Sequence, residues 1–274
     1  MSDTLFHIEN LKCSYDQQKI VLNIERLDIK RGTLNFIIGA SGIGKSTFIE
    51  TIGLMNNTIY KNGQNTQLDF QHDDKKTCLT DIWNDDSEAL AQFRSDNYSF
   101  IFQSTNLMSH FTAGENMCFG LLLNGKSMEE SKKIVLEMMA SVNLNPELFD
   151  RKIVELSGGQ RQRVAFVRAF ASDFEVLFCD EPTGNLDVKT AHKLMSNLKQ
   201  HLKDHNKTGL IVSHDINLAL KFADNIYYIK ENNDNQELSG ELSNEQCFSR
   251  QDDDWYYKGD MVSPKINSLI DQFV

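Results

Sequence analysis

Residues 39–47 read G-A-S-G-I-G-K-S-T, and no other stretch limits the possible folds of this chain so sharply. The run fits the pattern G-x-x-x-x-G-K-[ST] and follows the apolar segment Leu34–Ile38. Glycines let a backbone curl until several N–H groups point inward, which is the arrangement that cradles phosphate. A helix opening at the end of such a loop adds the positive end of its dipole. Phe48, Ile49, Ile52 and Leu54 have the spacing of that helix. The cradle comprises Gly39, Ala40, Ser41, Gly42, Ile43, Gly44, Lys45, Ser46 and Thr47. Within it Lys45 reaches the β- and γ-phosphates of a nucleotide, and the Ser46 hydroxyl ligates Mg²⁺. A glycine-rich turn with a chance lysine would share the letters, but not the strand before and the helical pattern after.

Two further stretches fit the same chemistry. Residues 176–182 read V-L-F-C-D-E-P, an apolar strand that ends in two acids. Asp180 is placed to hold the metal and Glu181 to polarise an attacking water as general base. Residues 156–160 read L-S-G-G-Q. Ser157 and Gln160 have the spacing of a capping box for the helix carrying Val164, Val167, Ala169 and Phe170. Two adjacent glycines, Gly158 and Gly159, exceed what a cap needs, and they bare N–H groups at a helix start as a second grip on phosphate.

Together these motifs resemble the ATP-binding cassette family of transport ATPases over about residues 5–230. L-S-G-G-Q is similar to the family signature, and residues 183–187, T-G-N-L-D, to its D-loop. His214, after the apolar segment 210–212, matches the switch histidine, and Gln103 in F-I-F-Q matches the Q-loop. Tyr15, ahead of the glycine loop, matches the aromatic residue that stacks on adenine, a role favoured here over that of an ordinary edge-strand tyrosine. Asp187 likewise has a plain role as the cap of the helix that follows.

The resemblance implies a fold: an α/β P-loop cassette with a mostly parallel core sheet, an N-terminal antiparallel β-subdomain and a helical signature subdomain. It implies ATP and Mg²⁺ as cofactors. Lys45, Gln103, Glu181 and His214 would be catalytic, and Ser46, Gln103 and Asp180 would surround the metal. It also implies a dimer with a second copy or a homologous ATPase subunit, each signature closing over the other's nucleotide. The remaining partner would be an integral membrane permease, placing the protein peripherally on the cytoplasmic face of the inner membrane. The stretch after Gln103, with D-E-P-T-G-N-L-D and L-S-G-G-Q-R-Q-R-V-A, is most similar to the lipoprotein-release and macrolide-efflux branch. A soluble cassette ATPase working on nucleic acid or ribosomes is the alternative.

Charge argues against that alternative. The 274 residues carry 28 Lys and Arg against 39 Asp and Glu, a formal −11, so the chain is no basic coat for nucleic acid. No apolar run approaches the ~20 residues that span a bilayer, and the N-terminal residues lack a signal-peptide pattern. The five cysteines form no C-x-x-C pair, which argues against a disulfide framework or a zinc site. The acid excess lies in two places: residues 57–100 carry −4 and residues 231–274 carry −7. The sequence predicts an ATP-binding domain over 1–230, with an acidic insertion at about 57–100 and a helical subdomain at about 103–172. Residues 231–274 form an acidic C-terminal extension. Both acidic segments are predicted to be solvated additions, the first of them made of loops and short strands.

Overall fold

The computed structural model describes residues 3–61, 65–73, 75–84, 87–184, 186–232, 239–263 and 265–270. The chain opens on two long antiparallel strands, β1 (Thr4–Cys13) and β2 (Leu22–Lys30), whose side chains alternate between buried and exposed. Strand β3 (Leu34–Ile38) is buried along its whole length, as a strand covered on both faces must be, and leads into helix α1 (Lys45–Ile52). Residues 57–100 supply β4 (Gln67–His72), β5 (Lys75–Cys78), helices α2 (Leu79–Ile82) and α3 (Ser87–Asn97), and the start of β6 (Tyr98–Ile101). Three helices follow: α4 (Ala113–Leu123), α5 (Met128–Ser141) and α6 (Gly158–Ala171). Each opens on a full capping box, made by Thr112 with Glu115, Ser127 with Glu130 and Ser157 with Gln160.

The second half alternates strand and helix: β7 (Val176–Asp180), α7 (Val188–Asp204), β8 (Thr208–Val212), α8 (Ile216–Phe222) and β9 (Asn225–Tyr228). The chain continues through β10 (Lys230–Asn232), β11 (Ser239–Leu242), β12 (Cys247–Gln251), β13 (Asp254–Tyr257), β14 (Asp260–Met261) and α9 (Ile266–Ile270).

Among the described residues the strands form two sheets. One has the order β10-β11-β2-β1-β4-β5; the other has the order β14-β13-β12-β9-β3-β8-β7-β6. In the second sheet β9, β3, β8, β7 and β6 are parallel, as predicted for the core. Period-2 alternation along these strands divides the core in two. Ile37, Val176, Phe178, Leu210 and Val212 face the first sheet, with Phe178 and Phe6 ring centres 6.4 Å apart. Leu34, Phe36, Ile38, Leu177, Cys179 and Ile211 face the helices, packing with Val164, Phe166, Val167, Leu194 and Leu198.

The two acidic segments differ from the sequence expectation. Residues 57–100 contribute buried Leu68, Phe70, Leu79 and Tyr98 to the inter-sheet core, and α3 runs where loops were predicted. Described parts of the C-terminal extension join both sheets: β11 pairs in parallel with β2, and β12 pairs antiparallel with β9. Leu242, Phe248, Trp255, Ile266 and Ile270 are buried there. Charge misled the reading, because among the described residues the acids other than the buried Asp69 lie in turns, on helices or on outward strand positions, while the inward positions are apolar. Asp252 and Asp253, for example, form the exposed turn between β12 and β13.

Phe248 is fully buried on β12 and stacks on Tyr257 with ring centres 4.7 Å apart. Phe248→Ala is expected to cost about 3–5 kcal/mol of folding stability, as large-to-small core changes do, read by urea unfolding. A loss under about 1 kcal/mol would show that the extension is not part of the core.

Candidate functional site

The site lies at the carboxyl ends of β3, β7 and β8, the usual place for a ligand in an open parallel sheet. The glycine loop leaves β3 at Gly39. Gly42 (φ +79°) and Gly44 (φ +107°) hold left-handed backbone that a side chain would strain, and Gly44 caps α1. The Lys45 ammonium curls back over the loop and donates to the carbonyls of Gly39 and Ala40, both at 2.7 Å. Burial pushes this ammonium below its ordinary pKa, against the opposing charges of Glu181 and Asp180.

Strand β7 brings Asp180 to the same place. The Ser46 hydroxyl, at the first turn of α1, donates to Asp180 Oδ2 at 3.4 Å. Burial raises the Asp180 carboxyl above the ordinary aspartate value, and the Glu181 charge adds to the shift. Glu181 follows in left-handed backbone (φ +47°), an unusual conformation for a residue with a side chain and one that concentrates at functional sites. Its carboxylate Oε1 is 2.8 Å from His214 Nδ1, and the His214 side chain is largely exposed. Strand β8 carries His214 there through Ser213.

Other predicted residues occupy separate positions around this centre. Tyr15 is half exposed, and its hydroxyl is 3.1 Å from the Thr47 hydroxyl and donates to Glu50 at 3.0 Å. Gln103 follows β6, with its amide nitrogen near Gly184. Ser157, Gly158, Gly159 and Gln160 form the first turn of α6, where Ser157 N–H donates to Gln160 Oε1 at 2.8 Å. Ser157 and Gly158 are exposed; among the described residues nothing beyond its own stretch of helix lies within 4 Å of where a Gly158 Cβ would stand, and Leu186 Cδ2 lies 3.6 Å from where a Gly159 Cβ would be. The signature turn therefore faces outward from its own chain. Asp187 caps α7 by accepting from Thr190 N–H at 3.0 Å. Asn185 of the predicted D-loop lies outside the described residues.

Three supporting residues escaped sequence reasoning. Glu50 anchors Tyr15, and its place one helical turn after Thr47 is the signal that pairs them. Gln162, almost fully buried on α6, donates its side-chain amide to the Pro182 carbonyl. Arg168, farther along α6, donates to the carbonyls of Thr105 (2.9 Å) and Asn106 (2.8 Å), just after Gln103. A polar residue inside an otherwise apolar helical stripe was the available sign for Gln162.

Known proteins are similar to this chain in sequence and fold. The family model described as "ABC transporter" matches residues 22–184. The ABC transporter ATP-binding protein MJ0796 of Methanocaldococcus jannaschii is 38% identical over 208 residues, 75% of this chain and 83% of that protein. The lipoprotein-releasing system ATP-binding protein LolD of Idiomarina loihiensis is 33% identical over 223 residues, 80% of this chain and 92% of that protein. A dimeric structure of the MJ0796 cassette aligns with a TM-score of 0.72 at 31% identity, covering 90% of this chain and 99% of that one. The MJ0796 cassette in a dimeric post-hydrolysis state, bound to ADP and Pi, aligns at 0.69 with 32% identity, covering 82% and 94%.

Lys45→Ala removes the ammonium that bridges the loop, so ATP affinity is expected to fall at least about tenfold, as loss of a charge-assisted phosphate contact does. Equilibrium titration with a fluorescent ATP analogue reads this, and an unchanged affinity would take Lys45 out of the site.

Proposed function

The chain belongs to the ABC transporter family, and from that premise we propose how its own residues drive a transporter of the lipoprotein-release and macrolide-efflux type. It is an ATP-binding subunit that hydrolyses ATP. The observation that carries the site assignment is the pairing of Ser46 with Asp180 at 3.4 Å and of Glu181 with His214 at 2.8 Å at one end of the core sheet, where Lys45 folds over its own loop.

Nucleotide phosphates enter the loop of residues 39–47, where Lys45 exchanges the Gly39 and Ala40 carbonyls for β- and γ-phosphate oxygens. Tyr15 offers its ring to the base, steadied by Thr47 and Glu50. Ser46 and Asp180 place one neutral and one anionic oxygen side by side, a donor set that fits a hard divalent cation, with Gln103 as a further oxygen donor. Mg²⁺, when bound there, neutralises charge on the phosphate oxygens. Glu181 accepts the proton of the attacking water as general base, and His214 holds the Glu181 carboxylate in place. Loss of the γ-phosphate is sensed at His214.

The signature turn of Ser157, Gly158, Gly159 and Gln160 offers the N–H groups of Gly158 and Gly159, which the capping box does not use, to the nucleotide of a second copy or a homologous subunit, so two ATP molecules sit at the interface. The permease docks beside Gln103. A groove of about 590 Å³ opens there, lined by Met55, Phe100, Phe102, Phe119 and Leu123, of which Leu123 is 70% exposed. No described helix is long and apolar enough to cross a membrane. In this reading the protein reaches the cytoplasmic face of the membrane through that groove, and nucleic acid is not a partner.

Glu181→Gln is expected to lower ATP turnover about 10²-fold or more, the usual contribution of a general base. It should also accumulate an ATP-dependent dimer, seen by size-exclusion chromatography with light scattering. Turnover at the wild-type rate would remove Glu181 as the base.

A further inference from the structure

The C-terminal extension touches the glycine loop directly. Strand β11 pairs in parallel with β2, setting Gly240 opposite Leu22, and Gly240 N–H donates to the Val21 carbonyl at 2.9 Å. From that position the bare Cα of Gly240 lies against the loop: a Cβ there would stand 2.2 Å from the Ile43 carbonyl oxygen. It would also stand 2.6 Å from Ile229 Cγ2. The first distance is far shorter than any real contact, and the atom met is backbone, which has no rotamer to escape into. Ile43 is itself 1% exposed, wedged at the middle of the loop.

The neighbouring contacts close a ring around the loop. Val21 and Leu22, held by Gly240, stand against Gly44, whose own Cβ would lie 3.3 Å from the Val21 carbonyl and 3.2 Å from Leu22 Cβ. Ile229, which also faces Gly240, donates its N–H to the Ile38 carbonyl at 2.9 Å. Its carbonyl lies 3.2 Å from where a Gly39 Cβ would be. Residues 39, 43 and 44 are thus backed by β2, the end of β9 and β11. The front of the loop is left for phosphate.

We propose that Gly240 is a positioning residue for the phosphate loop: its missing side chain lets the Ile43 carbonyl seat against β11, which turns the loop N–H groups inward toward the nucleotide. Gly240 touches no nucleotide itself. A side chain at 240 would push the Ile43 peptide forward into the phosphate site. The loop yields before the strand, because glycines at 39, 42 and 44 make it the softer partner. The inference rests on residues 39–47 being the nucleotide loop.

The test uses the full chain with G240A and G240V. Dissociation constants for fluorescent ATP and ADP analogues are expected to rise about tenfold in G240A, in line with overpacking at one contact, and further in G240V. Circular dichroism should report native secondary structure in G240A, and overpacking should lower its thermal midpoint without nucleotide by some degrees; a merely structural role would move that midpoint and leave the affinity of the folded chain unchanged. Wild-type affinity in folded G240A overturns the proposal. Should G240A not fold, hydrogen exchange on the wild-type chain decides. Saturating MgATP should slow exchange at residues 239–242 more than at Trp255 and Tyr256 on β13, and equal slowing overturns it. Lys45→Ala separates the two readings. If it retains affinity, the loop assignment fails; if it loses affinity while folded G240A does not, only the role of Gly240 fails.

Discussion

Two backbone hydrogen bonds at the ends of the central strands carry the register of the parallel sheet into the site. Ser213 N–H donates to the Ile37 carbonyl at 3.2 Å, and Glu181 N–H donates to the Val212 carbonyl at 3.0 Å. The first locks the strand that precedes His214 to the strand that precedes the glycine loop. The second locks Glu181 to the strand that precedes His214. Three segments distant in sequence therefore meet with little freedom, because each is the last residue or two of a buried strand in one parallel sheet. Strands buried on both faces cannot slip register without exposing their apolar side chains, so the geometry of the site inherits the stability of the core.

Helix α6 extends this rigidity outward. Its first turn is the exposed signature, its buried Gln162 grips the Pro182 carbonyl next to Glu181, and its Arg168 grips the two carbonyls after Gln103. A single fourteen-residue helix thus spans from the turn proposed to meet a second copy, past the strand end that carries Asp180 and Glu181, to the edge of the groove proposed for the permease. A shift at any one of the three would have to be carried by the helix as a body or be met by breaking one of these bonds. Such a lever is the kind of element that two sites can bias together.

Much of this is legible in the amino-acid sequence alone. The glycine loop, the strand ending in Asp180 and Glu181, and the capping box at Ser157 are local patterns, and local physics fixes them. Strands at 176–179 and 210–212 were plain because buried parallel strands read as short apolar runs. The extension was misread because its strands are short and carry acids on their solvent side, so composition outweighed alternation. Contacts such as Gln162 with Pro182, or Gly240 with Ile43, join residues far apart in the chain. No periodicity reports them; they exist only once the sheet order is known.

The anchoring of Tyr15 has a consequence for which nucleotides the chain accepts. Its hydroxyl is already engaged by Thr47 and Glu50, so it has little left with which to read the edge of a base. What the residue can offer is the flat face of its ring, and every purine presents a similar face in return. Tyr15 thus contributes little to telling adenine from guanine. In the proposed site the energy of recognition would fall on the phosphates, where the loop and Lys45 would act alike on any triphosphate. In a cell, the relative abundance of ATP would then do the selecting that this side chain does not.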